Sequence, residues 1–322
     1  MRAVTFGELL LRLSPPGEER LLVSPKLETC FGGAEANVAV GLAHLGVACD
    51  YVTRIPENPL GGAGLEALRR EGVGTTHVLR GGQRLGLYFV ESGDDLRAMR
   101  VVYDRAGSAF AQLEPAMLDW SAILKGAAWF HSTGITPALG EGPRAALAAA
   151  ISCARSASIR VSLDLNFRAA LWQNRDPMPT VRPLAEQADL VIGNADAIKT
   201  MLGMEADPQR VAERLGERGG RASRFVAITE REHRGPRDQT WSAALYDVQT
   251  GHLHRSRRHE VRVVDRVGGG DSFTAALIAQ LLAGNEPAEA LEFAVAASAL
   301  KLTIPGDFCR VSAADVVAWR QR

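Results

Sequence analysis

Apolar runs of strand length alternate with longer segments of helical periodicity along almost the whole chain. Residues 3–6 form a compact apolar run typical of a buried strand, and apolar residues occupy nearly every side of residues 38–45, as in a buried helix. The alternation continues through a helical pattern at residues 142–156 and a strand pattern at residues 160–165. This order of elements predicts an α/β fold with a mostly parallel sheet.

Two strand-like runs, residues 85–91 and 98–105, interrupt the alternation of strands and helices. The turn-forming residues 92–95 separate them, which predicts a β-hairpin. A hairpin inserted into an α/β pattern is often a lid over a site or an interface between subunits. Tyr103 and Arg105 are two residues apart on the second strand, so they are predicted to share a face.

A glycine-rich turn formed by Gly268, Gly269 and Gly270 precedes Asp271 and an apolar helical pattern that ends at Gly284. Glycine lets a ligand approach the backbone closely, and the amides at a helix N-terminus favour an anion such as phosphate. A carboxylate repels phosphate, so Asp271 suits a different task, which is to accept the proton of a hydroxyl that attacks phosphorus. The helix N-terminus is expected to keep Asp271 ionised. The alternative is a tight turn with Asp271 as the helix N-cap.

One polar side chain falls within the first turn of the early apolar helix. Asn37 follows Gly32 and Gly33, and a buried amide is costly unless it is hydrogen bonded. It is either a cap or core asparagine satisfied by the protein, or a group that binds a ligand hydroxyl beside the two glycines. The helix is predicted to end at Gly46, a suitable residue to follow a helix C-cap.

Polar residues cluster where several predicted strands end. Asp164, Asn166 and Arg168 lie at the end of one strand, and Asn194 and Thr229 lie at the ends of two later strands. Ligands of open α/β sheets bind beyond the carboxyl ends of the strands. These side chains are therefore predicted to lie along one edge of the sheet.

The segment after Thr229 is strongly charged. Residues 230–238 are predicted to form a polar loop, and residues 241–248 and 252–264 to form antiparallel strands that lead into the glycine turn. Three histidines in this segment are interleaved with arginines and lack acidic or cysteine partners at ligand spacing, which favours a solvated strand face over a metal site. They are His252, His254 and His259.

Composition limits the function without deciding it. The 322 residues carry 37 Lys and Arg against 37 Asp and Glu, so neither a nucleic-acid surface nor a membrane surface is predicted. The four cysteines have no paired spacing, which fits a reducing compartment. Neither a signal peptide nor a membrane span is recognised in the sequence. A soluble, cytoplasmic protein is expected.

Two glycine-containing segments, in this order along the chain, resemble the PfkB (ribokinase-like) carbohydrate kinase family. They are residues 31–39, FGGAEANVA, and residues 265–273, DRVGGGDSF, and the similarity spans nearly the whole chain. Within the family the sequence most resembles the 2-keto-3-deoxygluconate kinases, through residues 7–14, 103–108 and 164–168 with 171–172.

The resemblance implies a fold and a reaction together. The fold is a single sugar-kinase domain spanning residues 1–322, a three-layer α/β/α sandwich with a mostly parallel central sheet. A small β-sheet lid is expected from segments near residues 8–36 and 85–108, and this lid is expected to join a homodimer or higher homo-oligomer. The implied reaction is ATP-dependent phosphorylation of a sugar hydroxyl, assisted by Mg²⁺, with a monovalent cation as a further candidate cofactor.

The resemblance also assigns roles by position. Asp271 is the expected catalytic base, and the amides of Gly268, Gly269, Gly270 and Asp271 are the expected anion hole. The residues expected to line the sugar site are Gly32, Gly33, Asn37, Tyr88, Tyr103, Arg105 and Arg168. The residues expected on the ATP side are Asn194, Thr229, Arg231, Gly268 and Gly270.

Two departures from the family pattern concern the metal and the nucleotide. The family's Asn-x-x-Glu begins here at Asn194 but has Ala197 in place of the glutamate, with Asp196 as a candidate replacement. Residues 230–238 stand where the family has a glycine-rich nucleotide loop. No set of metal ligands is therefore predicted.

A physical argument favours an acidic sugar as the substrate. A carboxylate needs a complementary charge, which the planar fork of arginine supplies through two hydrogen bonds, and Arg105 and Arg168 are predicted at two edges of the pocket. Salt bridges within the protein are the alternative role for both. The reaction that the resemblance implies is the conversion of 2-keto-3-deoxygluconate to its 6-phosphate. A kinase of a neutral sugar such as fructose is one alternative, and a non-catalytic sugar- or nucleotide-binding regulator is another.

Overall fold

The structure is a computed structural model that describes residues 1–23, 25–93, 97–173, 175–217, 224–235 and 237–321. Strands and helices alternate along the chain, as predicted. The strands are β1 (Arg2–Phe6), β2 (Leu10–Ser14), β3 (Glu28–Gly32), β4 (Ala48–Ile55), β5 (Val78–Arg80), β6 (Gly86–Glu91), β7 (Arg100–Asp104), β8 (Trp129–Thr133), β9 (Arg160–Asp164), β10 (Leu190–Asn194), β11 (Phe225–His233), β12 (Asp238–Asp247), β13 (His252–Arg255) and β14 (His259–Arg262). The helices are α1 (Ala34–His44), α2 (Pro59–Arg70), α3 (Trp120–Leu124), α4 (Glu141–Ser156), α5 (Ala169–Trp172), α6 (Met178–Ala185), α7 (Ala195–Leu202), α8 (Pro208–Gly216), α9 (Gly269–Ala283), α10 (Pro287–Lys301) and α11 (Ala313–Arg320).

Most strands belong to one large sheet whose central strands are parallel. The strand order is β13-β12-β11-β10-β9-β8-β1-β4-β5, and β14 also pairs with β12. The neighbouring pairs from β11 to β5 are parallel, whereas β12 is antiparallel to β11, β13 and β14. The predicted mostly parallel sheet is confirmed, and the carboxyl ends of its parallel strands meet at one edge.

Helices cover both faces of this sheet and give the predicted three-layer arrangement. One face packs against α1, α2, α9, α10 and α11, and the other against α3, α4, α6, α7 and α8. Helix α9 is apolar on nearly every side because it packs against both α1 and α10. A Cβ atom on Gly41 would lie 2.8 Å from the Cβ of Ala275, so this glycine lets α1 and α9 approach closely.

A separate small sheet lies at the carboxyl edge of the large one. Its strand order is β3-β2-β6-β7, and β6 and β7 form the predicted hairpin. The predicted turn residues 94 and 95 lie outside the described residues. One face of the sheet is apolar and is built from Leu10, Tyr88 and Val90, with Val101 and Tyr103 packed against them. The residue predicted at the end of the second strand, Arg105, directly follows β7.

The charged segment after Thr229 is a strand for half of its length, and the prediction of a loop at residues 230–238 is wrong there. Strand β11 continues to His233 because each of these residues pairs with one on β12, and a long antiparallel ladder outweighs the polar composition. The predicted loop residue at position 236 lies outside the described residues. The predicted strand at residues 252–264 is also divided in two. Between β13 and β14, the Ser256 Oγ accepts a hydrogen bond from the Ala243 amide at 3.0 Å, and this contact interrupts the ladder.

The three histidines of this segment do not form a metal site. His252 is exposed and His254 partly so, while the His259 ring packs against Trp319 with 4.7 Å between ring centroids. The prediction of a solvated face therefore fails for His259. Among the described residues, no group of three or more His, Cys, Asp or Glu side chains is placed to hold a metal ion. No helix in the described ranges is long and apolar enough to cross a membrane.

Candidate active site

A cleft of about 1850 Å³ lies between the small sheet and the carboxyl edge of the large sheet. Most of the residues predicted for the site line it, although they come from distant parts of the chain. These are Gly33, Asn37, Tyr88, Tyr103, Arg105, Arg168, Asn194, Thr229, Arg231, Gly268, Gly270 and Asp271. Gly32 and Gly269 do not line the cleft. Both are buried behind it, where a Cβ would strike the Asp307 carboxylate or the Leu302 side chain.

The glycine turn opens helix α9 with amides that have no acceptor within the helix. Gly268 is the N-cap in the left-handed region, with φ of 81°, and a Cβ there would lie 2.2 Å from the Asp307 carbonyl oxygen. The first helical hydrogen bond runs from the Ser272 amide to the Gly268 carbonyl at 2.9 Å. The amides before Ser272 therefore have no acceptor within the helix. Gly270 is exposed with open space beside it, so an anion can reach these amides from the cleft.

Asp271 is the third residue of α9 and not its N-cap, so the N-cap interpretation is wrong. Its side chain is buried at the floor of the cleft. The Asn37 Nδ2 donates to its Oδ2 at 2.6 Å, and the Asn166 Nδ2 lies 3.5 Å from its Oδ1. Burial raises the pKa of Asp271 to about 6, against the opposing effects of Asn37 and Arg168. Burial sets the direction of this shift, but a carboxyl with a pKa of about 6 is still mostly ionised at neutral pH.

Asn37 joins this carboxylate to the first glycine segment. It lies in the first turn of α1 behind Gly33, whose φ of 137° and close approach to the Glu8 carbonyl exclude a side chain. The Asn37 Nδ2 is used by Asp271. Its Oδ1 is buried and has no hydrogen-bond partner within the described part of the chain. A buried amide oxygen without a partner is costly, and a hydroxyl bound in the cleft would satisfy it.

The end of β9 contributes a second carboxyl group and a cation. Asp164 is buried and its Oδ1 accepts from the Asn166 amide at 3.0 Å. Burial raises the pKa of Asp164 to about 7, and the nearby Asp271 raises it further. Arg168 is exposed in the cleft, and its Nη1 donates to the Phe167 carbonyl at 3.3 Å. Among the described residues, no carboxylate is within ion-pair distance of Arg168, so its fork can receive a ligand.

Arg105 differs from Arg168 because it is already paired inside the protein. Its Nε and Nη2 donate to the Glu8 Oε2 at 2.6 and 2.5 Å, and its guanidinium lies over the Tyr103 ring at 5.6 Å. The Ser108 hydroxyl donates to the other oxygen of Glu8. The alternative of a salt bridge within the protein therefore describes Arg105, although one edge of it lines the cleft.

The residues predicted for the nucleotide side lie along the ends of β10 and β11. The Asn194 Oδ1 accepts from the Ala197 amide at 2.9 Å and so caps α7. The Thr229 hydroxyl donates to the Gly193 carbonyl at 3.4 Å. Arg231 is exposed on β11, and Asp196 is exposed in the first turn of α7; both line the cleft.

A cluster of four charged groups beside the glycine turn was not predicted; three of them are buried, and the fourth, Asp265, is partly buried. The Arg12 Nη1 donates to Asp265 at 2.7 Å and to Asp307 at 3.0 Å, and Lys301 lies beside them, fully buried. The Tyr88 hydroxyl donates to Asp307, so the predicted sugar-site residue Tyr88 uses its hydroxyl inside the protein. A signal was present in the sequence, because Arg12 interrupts an apolar strand and Lys301 is a charged residue at the end of an alanine-rich helix.

The chain is similar over almost its whole length to known carbohydrate kinases. The model of the pfkB family carbohydrate kinases matches residues 2–308. The 2-dehydro-3-deoxygalactonokinase of Haloferax volcanii is 32% identical over 313 residues, which are 97% of this chain and 94% of that protein. The 2-dehydro-3-deoxygluconokinase of Bacillus subtilis is 30% identical over 311 residues, 95% of this chain and 90% of that protein.

A solved structure gives the same result for the fold. The crystal structure of the 2-dehydro-3-deoxygluconokinase from Thermotoga maritima superposes with a TM-score of 0.94 and 41% sequence identity, and the match covers 100% of both chains. The predicted ribokinase-like fold and the resemblance drawn from the two glycine-containing segments are thereby confirmed. The chain belongs to the pfkB family of carbohydrate kinases.

Proposed function

We propose that this protein transfers the γ-phosphoryl group of ATP to a hydroxyl of a sugar acid, with 2-keto-3-deoxygluconate as the first candidate and its 6-phosphate as the product. The observation that carries the proposal is the position of the buried Asp271 carboxyl beside the open amides of the glycine turn. A base next to an anion site is what transfer of a phosphoryl group to an alcohol requires.

Asp271 is the proposed general base. It accepts the hydroxyl proton as the sugar oxygen bonds to phosphorus and the bond from phosphorus to the ADP oxygen breaks. The amides of the turn residues that line the cleft, Gly268, Gly270 and Asp271, stabilise the charge on the transferred group. Asn37 holds Asp271 through its Nδ2, and its unpaired Oδ1 accepts from a hydroxyl of the sugar.

Arg168 supports the choice of an acidic substrate. Its guanidinium is exposed in the cleft close enough to Asp271 to lower the pKa of that carboxyl, and the fork can bind a carboxylate through two hydrogen bonds. The names of the two curated relatives given above point to 2-keto-3-deoxy sugar acids. A neutral sugar such as fructose would leave Arg168 without a complementary charge. A non-catalytic regulator would not need a buried base.

Mg²⁺ is the proposed metal cofactor. When bound, it would neutralise part of the negative charge of the phosphates. The described residues offer no closed set of acidic ligands, but Mg²⁺ commonly binds through one or two carboxylates together with substrate phosphates. Asp164 and Asp196 both line the cleft and are the candidate carboxylates. The Asn194 oxygen is occupied by its helix cap. Asn194, Thr229 and Arg231 are the proposed residues on the nucleotide side.

A substrate panel tests the proposed function. ATP consumption would be measured with 2-keto-3-deoxygluconate, 2-keto-3-deoxygalactonate, fructose, ribose and adenosine, each with Mg²⁺ present. We expect kcat/KM to be highest for one of the two keto-deoxy acids. A preference for fructose or ribose would replace the acidic substrate with a neutral one, and turnover of none of the five would contradict the proposal.

The rate of the reaction is expected to depend on pH through Asp271. Protonated Asp271 cannot accept the hydroxyl proton, and burial has raised its pKa to about 6, so kcat/KM should fall as the pH drops through about 6. An unperturbed aspartate, with a pKa of about 3.9, would keep its activity down to about pH 4. The measurement is kcat/KM across this pH range, with the coupling enzymes assayed separately at each pH. Full activity at about pH 5 would contradict the role of Asp271 as the base.

The outer face of the small sheet is the proposed interface of a homodimer. Leu13, Phe89 and Val102 form a cross-strand row; Leu13 and Phe89 are partly exposed, and Val102 is 38% exposed. Light scattering is expected to give a dimer of 34.5 kDa subunits. Val102→Asp should yield the monomer, whereas Met117→Asp, at a surface residue with 39% exposure, should not. A monomeric unmodified protein would refute this interface.

The cytoplasm is the proposed location. ATP is the proposed phosphoryl donor, and the four cysteines are free thiols, two of them buried. Free thiols are usual in reducing compartments.

A further inference from the structure

A lysine is buried directly behind the glycine turn. Lys301 is the last residue of α10 and is fully buried, and its Nζ donates to the Ile304 carbonyl at 3.0 Å. A Cβ atom on Gly268 would lie 3.2 Å from the Lys301 Cε. The ammonium group is therefore on the protein side of the amides that face the cleft.

The groups around this lysine are mostly negative. Asp265 accepts hydrogen bonds from two backbone amides. Its Oδ1 accepts from the Val267 amide and its Oδ2 from the Gly306 amide, each at 3.0 Å. Asp307 is buried beside it. The C-terminal end of α10 adds its partial negative charge. A phosphate bound at the glycine turn would be repelled by all of these groups.

Two cations balance the two carboxylates. Arg12 bonds to both Asp265 and Asp307 and offsets one negative charge. Lys301 offsets the second, and although its burial lowers its pKa, the two carboxylates favour the charged form. Removing the ammonium would leave a net negative charge behind an anion site, in a buried region where screening by solvent is weak.

We propose that Lys301 is a positioning residue for phosphoryl transfer, an internal cation that balances Asp265 and Asp307 so that the glycine turn can bind the phosphates of the nucleotide. This role of Lys301 depends on the proposed function in one respect only, which is that ATP is the ligand of the glycine turn. In this proposal Lys301 does not contact the substrates. It acts by its position behind the backbone of the glycine turn, where its charge changes the electrostatic potential that the phosphates meet.

The test is nucleotide binding by calorimetry, with a non-hydrolysable ATP analogue and with adenosine, which has no phosphates. Lys301→Met keeps the length of the side chain and removes the charge. Its dissociation constant for the ATP analogue should rise about 30-fold, as expected for one charge at about 8 Å in a medium of effective dielectric constant about 20. Its affinity for adenosine should stay unchanged. Lys199→Met is the matched control, since Lys199 is exposed on α7 and outside the cleft, and it should bind both ligands as the unmodified protein does.

A second variant separates charge balance from a loss of structure. Asp307→Asn combined with Lys301→Met removes one charge of each sign and restores neutrality, so its affinity for the ATP analogue should return to within about threefold of the unmodified protein. This double variant also carries no unpaired buried charge, so it remains informative if Lys301→Met alone does not fold.

The outcomes decide between this proposal and a purely structural lysine. Equal weakening for the ATP analogue and adenosine, or a double variant no better than Lys301→Met, would overturn it. The measurement needs no sugar, so it can succeed even where the substrate panel finds no acidic acceptor.

Discussion

Asp271→Asn is expected to lower kcat by about 10³-fold while the affinity for ATP stays within about threefold of the unmodified protein, because general-base catalysis contributes about 10²- to 10⁴-fold. The asparagine has nearly the same shape and can still accept the hydrogen bond from the Asn37 Nδ2. It cannot accept a proton. Turnover would be followed by ADP release with saturating sugar and ATP, and nucleotide binding by calorimetry.

The control for this variant is Asp207→Asn. Asp207 is an exposed aspartate that caps α8 through the Arg210 amide, and asparagine caps a helix equally well, so its kcat should not change. If Asp271→Asn retained most of its turnover, the base would have to be another group, and Asp164 would be the next candidate because it is also buried in the cleft with a raised pKa.

Arg168→Ala is expected to raise KM for an acidic sugar by about 100-fold, because hydrogen bonds to a charged group contribute about 1.5–3 kcal/mol and each 1.4 kcal/mol is about tenfold in affinity. The KM for a neutral sugar should hardly change, since there is no carboxylate to lose. Both constants would be measured under the same conditions. An equal rise for the two sugars would remove the role of Arg168 in binding a carboxylate.

Two other arginines serve as comparisons for Arg168. Arg144→Ala removes an exposed side chain that pairs with Glu141 on α4 and should leave both KM values unchanged. Arg105→Ala removes the partner of the buried Glu8, which is expected to cost about 3–5 kcal/mol in the free energy of unfolding. Arg105→Ala should thus be recognised by its stability in denaturant and not by its preference among sugars.

The layered fold could be predicted from the sequence because its signals are local. A buried helix such as α9 has few charges and ends at a glycine, and a buried parallel strand is a short apolar run, so each element was recognisable alone. The pairing at the far edge of the sheet was not. Glu230 and Arg231 belong to β11 only because β12 folds back beside them, and nothing in their own side chains favours a strand.

The sequence was enough to predict which residues lie together in the candidate site, but not which hydrogen bonds and ion pairs they form. Asp271 and Asn37 are 234 positions apart and their hydrogen bond follows from the two family segments. The protonation state of Asp271 depends on how deeply the folded protein buries its carboxyl group, and no single segment of the sequence determines that burial. Arg105 and Arg168 looked equivalent in the sequence, and the difference arises because Glu8 faces one of them and not the other.

Arg12 and Tyr88 reach from the small sheet to Asp265 and Asp307 in the body of the protein. A chimera that took β2 and β6 from a homologue lacking either side chain would leave both carboxylates facing unsuitable neighbours. Chimeras of this family should therefore tolerate crossovers in the outer helices much better than exchange of the small sheet alone. In libraries of chimeras built to alter sugar preference, Arg12, Tyr88, Asp265 and Asp307 should all be taken from the same parent.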